Sequence, residues 1–349
     1  MLKPDAALRR HPLVAVSLFY VGLIVLWRVV LLSPLARLWP LQLSQALGSW
    51  FYVPLWLLLG WALLAQRRRI GHAALLLLLV PLCLFALDYG RQFLPNWQMA
   101  FAGTGADTHL RVMSWNSLYR NDNTAALQRA MLELRPDLVA IQEIGTGMAA
   151  DLPDRLGAYF PYQEVYATGG PSGMAILSRY PFLDTEPPEF RRGVDTCNCQ
   201  QVRVDFNGNS ITVINMHPWP PRMGFRRRGG LPTMTFYTTA NQDPIVDALL
   251  RRIEAAESPL LVLGDLNTSE RQPNYWRLRA HLADAFTQAG WGLGYTFPNR
   301  DRWGRLTVFP FIRIDYVFHD NAWITLSAHT GAIPGSDHRY VLADLMLAP

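Results

Sequence analysis

Apolar and polar residues follow two different patterns along this chain, and the change falls near residue 105. Before it, the apolar positions come in long unbroken runs. Residues 13–32 form one such run, about 20 residues, enough to cross the ~30 Å hydrocarbon core of a bilayer. Residues 46–65 and 70–87 form two more, the last with Pro81 as a kink. Trp39, Trp50, Tyr52, Trp61, Tyr89 and Trp97 gather toward the ends of the runs, as interfacial aromatics do. The pattern predicts three transmembrane helices within residues 1–105, with Gly103-Thr104-Gly105 as the linker. The first run is too long for a signal peptide and lacks a small-residue cleavage pattern.

From residue 106 onward, short apolar stretches are each closed by polar residues. Alternation over 110–116 predicts a strand ending in Trp115-Asn116. Helical spacing over 124–134 stops at Pro136, and 138–141 is a short buried strand followed by Gln142-Glu143. Next come a helix over 149–158, strands over 162–166 and 173–177, and a hairpin of 202–206 with 211–216 around Asn207-Gly208. The hairpin delivers His217. Residues 218–240 read as a long irregular insert. A helix over 244–256, a strand over 260–263 ending in Gly264-Asp265-Leu266-Asn267, and a helix over 275–285 follow. A strand over 312–318 carries Asp315, and the last strand starts after Ser336-Asp337-His338.

Charge separates the same two parts. Residues 1–105 hold nine basic and two acidic residues, a net of +7; the whole chain is +5, so residues 106–349 are at −2. The basic balance therefore belongs to the apolar part, and the remainder lacks the overall positive field of a dedicated nucleic-acid binder. Arg9-Arg10 precede the first run and Arg67-Arg68-Arg69 separate the second from the third, whereas the first loop has only Arg37. By the positive-inside rule the N-terminus and the triple-arginine loop are cytoplasmic, which places residues 106–349 outside the cytoplasm, at the cell (inner) membrane facing the periplasm. Of three cysteines, Cys83 reads as a small buried hydrophobe. Cys197-Asn198-Cys199 is too sparse for a disulfide framework or a zinc site, and leaves two thiols or one local disulfide open.

The strand ends carry chemistry. Asn116, Glu143, His217, Asp265, Asn267, Asp337 and His338 each follow or precede an apolar stretch, so a shared sheet edge would bring amides, carboxylates and imidazoles together. Hard oxygens suit magnesium, manganese or calcium, and Glu143 is the natural carboxylate for such a cation. Phosphoester hydrolysis needs an activated water, charge stabilisation at the phosphoryl oxygens and help for the leaving oxygen. His338 is suited to take the water's proton. Asn116, Asn267 and His217 are suited to donate to the phosphoryl group. No Gly-rich phosphate loop and no serine nucleophile elbow is present.

Taken in order, Trp115-Asn116, Gln142-Glu143, the His217 strand end, Gly264-Asp265-Leu266-Asn267, Ile314-Asp315-Tyr316 and Ser336-Asp337-His338 resemble the endonuclease/exonuclease/phosphatase superfamily. The resemblance covers about residues 108–347. It implies an α/β fold, a four-layer α/β/β/α sandwich of the deoxyribonuclease-I type, here as a catalytic domain over 106–349 behind an anchor over 1–105. It further implies a magnesium ion (or manganese or calcium) held by Glu143, with Asn116 and Asp337 assisting. Asp265 and Asn267 would position water and phosphate, and His217 would stabilise the transition state. Asp315 would orient His338 as general base, and Asp337 would support that site. Several nucleases of the superfamily have an acid where this chain has Leu118.

The insert interleaves Trp219, Met223, Phe225 and Leu231 with Arg222, Arg226, Arg227 and Arg228. Arginines of this kind meet phosphates, and the apolar side chains suit a lipid interface or stacked bases. The sequence thus favours a membrane-tethered phosphodiesterase or phosphatase acting on lipid headgroups or small phosphoesters, with the bilayer as partner and Arg226–Arg228 on the substrate side. A surface nuclease and a catalytically inactive membrane scaffold are the two alternatives. No obligate protein partner is inferred.

Overall fold

The computed structural model describes residues 11–65, 69–96, 108–188, 196–229, 231–299 and 309–348. The expected linker 103–105 and Arg67-Arg68 lie outside these, as do the side chains of Arg228 and Leu231. The chain divides into two compact units, Met1–Arg91 and Gln92–Pro349.

The first unit is helical: α1 (Pro12–Leu31), α2 (Trp39–Ala46), α3 (Val53–Leu64) and α4 (Arg69–Tyr89). The first run of apolar residues is α1 and the third is α4; each is long and apolar enough to cross a membrane. The middle run differs from expectation. It is a broken element, Trp39–Ala46 plus Gly48–Leu64, bent by 79°. A 3-10 turn at Gly48–Tyr52 precedes α3, and Pro54 in its first turn prevents the helix from extending backward. Among the described residues, two helices are therefore long and apolar enough to cross a membrane, or three elements if the bent pair counts as one. Arg28, near the C-terminal end of α1, pairs at 2.6 Å with Asp88, near the C-terminal end of α4, and Tyr52 donates to the same Asp88 oxygen at 2.8 Å. The two helices pack against each other and run the same way. Cys83 is exposed on α4 rather than buried.

The second unit is a sandwich of two six-stranded sheets. One has the order β13 (Trp323–Ala332), β14 (Arg339–Leu347), β1 (His109–Asn116), β2 (Leu138–Gln142), β4 (Met174–Ser178), β3 (Tyr162–Tyr166). The other runs β11 (Ala283–Asp284), β12 (Asp315–His319), β10 (Leu260–Asp265), β7 (Asn209–Met216), β6 (Cys199–Phe206), β5 (Phe182–Glu186). Strand period explains the layering, because successive side chains leave opposite faces. On β1, Leu110 and Val112 join the core between the sheets, while Met113 and Trp115 face a second core. That second core is closed by α5 (Thr124–Leu134) and α6 (Thr146–Leu156). On β10, Leu261 and Leu263 face the other sheet, while Leu260 and Val262 pack beneath α7 (Asp243–Ala255) and α8 (Pro273–Arg279). Helices, two sheets and helices make four layers.

Three expectations change. The strands β5 and β13 were not evident as alternating stretches. The helix expected over 275–285 ends with α8, and Asp284 instead caps the short α9 (Ala285–Ala289), accepting from the N–H groups of Phe286 and Thr287. Residues 218–240 are not irregular: β8 (Arg222–Arg228) and β9 (Leu231–Thr238) form a two-stranded ribbon with a bulge at Gly224/Phe225. Cys197 and Cys199 are joined by a disulfide at the start of β6.

Candidate active site

Parity decides which side chains reach the site. β1 and β2 are parallel, β7 and β10 are parallel, and β12 and β14 run antiparallel to their neighbours β10 and β1. The ends of β1, β2, β7 and β10 and the beginnings of β12 and β14 therefore share one edge of the sandwich. Asn116 continues the Leu110/Val112 face, Asp265 the Leu261/Leu263 face, His217 the Ile211/Val213 face, and Asp315 the face of Val317; all four point between the sheets. Glu143 is out of phase with Leu138 and Ala140. Its backbone sits in the left-handed region (φ 53°), which re-aims the side chain toward the others.

The side chains converge. Asn116 directs its NH2 to Glu143 Oε1 at 3.1 Å and to Asp265 Oδ2 at 3.0 Å, while its Oδ1 accepts from Leu118 N–H. His217 Nε2 is 3.7 Å from each of the same two carboxylate oxygens. His338 donates from Nδ1 to Asp315 Oδ2 at 3.0 Å and turns Nε2 to Asp265 Oδ2 at 3.8 Å. Asp265 and Asp315 are register partners on β10 and β12. The turn before β14 is fixed by Ser336, whose hydroxyl donates to the Asn116 carbonyl and accepts from His338 N–H. Phe297 lies against the His338 ring, centroids 4.7 Å apart.

Glycine is required just before Asp265. Gly264 has φ +149°, and a Cβ there would stand 1.9 Å from the Met216 carbonyl oxygen. Only glycine lets β10 pass this close to β7 just before Asp265.

Burial and charge pull the ionisable groups apart. Burial pushes the His217 imidazole below its ordinary value, so it is neutral near pH 7. Burial also opposes charge on His338, but Asp315, Asp265 and Asp337 outweigh it and push His338 up to about 10. Asp265 is raised well above the carboxylate range, first by burial and then by Asp315 beside it.

The donor set fits a hard divalent cation. Glu143 Oε1 and Asp265 Oδ2 aim at one amide, and burial beside Asp315 disfavours charge on Asp265, a strain that a cation relieves. Asp265, Asp315 and His338 also bring one ligand atom each within 4.8 Å of one another. Asp315 is already engaged by His338, so the Glu143–Asp265 face is the better seat. As oriented, Asn116 presents donors to that face, and ligation through its oxygen requires the amide to turn over.

The remaining sequence candidates are placed less centrally. Asn267 gives its backbone N–H to Asp265 Oδ1 at 2.8 Å, but its side-chain NH2 goes to the Pro218 carbonyl, so here it fastens the His217 loop. Asp337 bears on the site as a charge beside His338. Arg226 and Arg227 stand exposed on the ribbon, outside the cluster. The sequence reading missed a polar layer directly beneath the site. Gln142 donates to Asn215 Oδ1 at 2.8 Å, and Asn215 donates across the sandwich to the Ile141 and Ala175 carbonyls. These buried amides weld the strand of Glu143 to the strand of His217. Their only sequence signal is a polar residue at an inward parity.

Residues 113–338 match the model of the Endonuclease/Exonuclease/phosphatase family. No curated protein matches the chain. Among solved structures, an endonuclease/exonuclease/phosphatase from Bacteroides vulgatus is similar at 19% identity, covering 69% of this chain and 100% of that one, with a TM-score of 0.52. A family protein from Leptotrichia buccalis is similar at 15% identity, 68% and 100% coverage and a TM-score of 0.52. So is D. rerio TDP2 complexed with single strand DNA product, at 17% identity, 68% and 99% coverage and a TM-score of 0.52. These likenesses carry the fold; the family match carries the class. The chain belongs to the endonuclease/exonuclease/phosphatase family and is, as a member, a metal-dependent phosphoric ester hydrolase.

Proposed function

We propose that the chain is a membrane-tethered, magnesium-dependent phosphodiesterase or phosphatase acting outside the cytoplasm on lipid headgroups or other small phosphoesters. The observation that carries the reading is the convergence of Glu143, Asp265, His217 and the Asp315–His338 pair at one edge of two sheets. A divalent cation held by Glu143, with Asp265 and Asn116 beside it, would polarise the phosphoryl oxygens and offset charge on the leaving oxygen. Asp265 and His338 face each other. Asp265, its charge offset by the cation, would be the base that takes the proton of the attacking water, and His338, held protonated by Asp315, would be the acid of the pair. Asp315 keeps the imidazole oriented throughout. As oxygen bonds to phosphorus and the ester oxygen departs, neutral His217 donates to the phosphoryl group.

Three features support the placement. The parallel packing of α1 and α4 agrees with a return crossing between them, and so with a C-terminal end of α4 opposite the N-terminus. The arginines flanking the spans give the same orientation. The Cys197–Cys199 disulfide suits an oxidising compartment. The net charge of −2 over residues 106–349 disfavours nucleic acid as the main substrate.

The test is one assay panel on the purified full chain: phospholipid, sphingolipid, soluble mono- and diesters, and DNA, each with magnesium or chelator. Cleavage of a phosphoester that chelator abolishes, and that Glu143→Ala and His338→Ala lack, is the expected result. Chelator-indifferent turnover removes the metal; preference for DNA replaces the substrate.

A further inference from the structure

The β8–β9 ribbon leaves the site directly after His217 and is bolted to it at its root. Gln242 donates to the Trp219 carbonyl at 2.8 Å and to the Asn267 carbonyl at 3.1 Å. Gln272 donates to the hydroxyl of Tyr237, which is buried. Beyond this root the ribbon is unlike a solvent-facing hairpin. Met223 is 49% exposed, Phe225 59% and Phe236 44%. Phe236 lies over Gly224 so closely that a Cβ on Gly224 would come within 2.3 Å of its ring. Arg222, Arg226 and Arg227 are exposed among these apolar side chains. A two-stranded ribbon is marginal in water by itself, and three large apolar side chains on its outer part make solvent an unfavourable neighbour. A cluster of arginines within a part of the chain whose net charge is −2 is a local reversal of sign.

We propose that this ribbon is a lipid-contact arm, with Met223, Phe225 and Phe236 entering the interfacial layer of a bilayer while Arg226 and Arg227 meet anionic headgroup phosphates. Basic and aromatic side chains side by side match that layer, whose outer part is charged and whose inner part is apolar. Two helices of the same chain, long and apolar enough to cross a membrane, make a bilayer an available partner. Because the arm's root is fastened to the loops bearing His217 and Asn267, docking it presents the catalytic edge to headgroups, which narrows the substrate to a membrane-borne phosphoester. This rests on the hydrolase reading above.

The experiment uses the full chain in nanodiscs of phosphatidylcholine with or without phosphatidylglycerol. A nitroxide is attached through Met223→Cys in a Cys83→Ser background, with Leu183→Cys on β5 as the exposed control. The label at 223 is expected to be several-fold less accessible to a water-soluble nickel complex than the label at 183, and more shielded with phosphatidylglycerol present. Equal nickel accessibility at the two positions overturns the arm. Equal shielding in both lipids removes the arginines from it. Immobilisation by added single-stranded DNA at a label still open to nickel puts nucleic acid in place of lipid. In parallel, Phe225→Ser with Phe236→Ser should lower cleavage of a vesicle-borne phosphoester about tenfold and leave a soluble diester untouched; unchanged vesicle cleavage counts against the arm. Failure of the parent chain to cleave either the vesicle-borne or the soluble phosphoester defeats the hydrolase reading instead, and the label still decides the ribbon.

Discussion

Arg313 and Asp315 are two residues apart and both fully buried, yet they belong to clusters of opposite design. Arg313 is paired in charge, although its Nε makes no hydrogen bond. It pairs with Asp284 at 2.8 Å, lies 4.8 Å from the Tyr316 ring centroid and 5.4 Å from that of Phe286, and has Glu270 at 3.7 Å. Burial raises Glu270 toward its neutral form, whereas Asp284, despite burial, is held low by Arg313, Thr287 and Tyr275. Arg313 and Asp284 are thus a cation and an anion in direct contact. Around Asp315 the acids outnumber their partners: Asp265 and Asp315 share His338, and Glu143 shares an amide with Asp265. A balanced buried cluster holds a fold together; an unbalanced one stores an electrostatic demand that a cation and a phosphoester can meet.

The largest expected effect is on the unbalanced side. His338→Ala should lower phosphoester turnover by about 10² to 10⁴-fold, the usual worth of a proton-transfer group. Because Asp315 is left buried without its cation, melting of the second unit should fall as well, so the readout is turnover per folded molecule; unchanged turnover per folded molecule would mean the pair is structural only. Next comes the balanced side. Arg313→Met leaves Asp284 buried without its cation and should destabilise by about 3–5 kcal/mol, read by denaturant unfolding of the detergent-solubilised chain. Turnover per folded molecule should stay within an order of magnitude of the parent.

Asn215 joins the two designs, since it is structural in contact but lies directly under the site. Asn215→Ala should cost about 1–3 kcal/mol for the buried groups left unpaired and should raise the magnesium concentration needed for half-maximal turnover. Unchanged magnesium dependence would confine Asn215 to stability. The smallest effect is in acid. A carboxyl held low in the fold contributes stability above its unfolded value, near pH 4, and loses it as pH falls through its folded value. Asp284 is such a group, so the parent should lose stability below about pH 4. Asp284→Asn, already less stable at neutral pH, should show a flatter acid limb in unfolding monitored by circular dichroism.

Much of this was legible in the residues. The apolar runs marked α1 and α4, the alternation marked β1, β3 and β14, and the polar closure of each strand marked Asn116, His217, Asp265 and His338. Counting inward parity from Val112, Val213 and Leu261 would have set the first three of these in the same gap. Other features had no local signal. β5 has exposed and half-buried positions without clean alternation. The ribbon contains Pro232 and three glycines, Gly224, Gly229 and Gly230, which argue against strands in isolation. Gly48 and Pro54 were visible but lay inside an apolar stretch whose length argued for a straight span.

The sequence alone determined the division into an apolar, basic part and a patterned, slightly acidic part, and it named the residues able to do phosphoester chemistry. Those follow from side-chain chemistry and period, which are local properties. Only the tertiary structure decided that Glu143 turns inward through a left-handed backbone, that Asn267 fastens a loop, and that Asn215 and Gln142 cross-link the sheets. Each of these depends on contacts between strands 27 to 149 residues apart or more, such as Asn116 with Glu143 and with Asp265, and no local pattern encodes such distances.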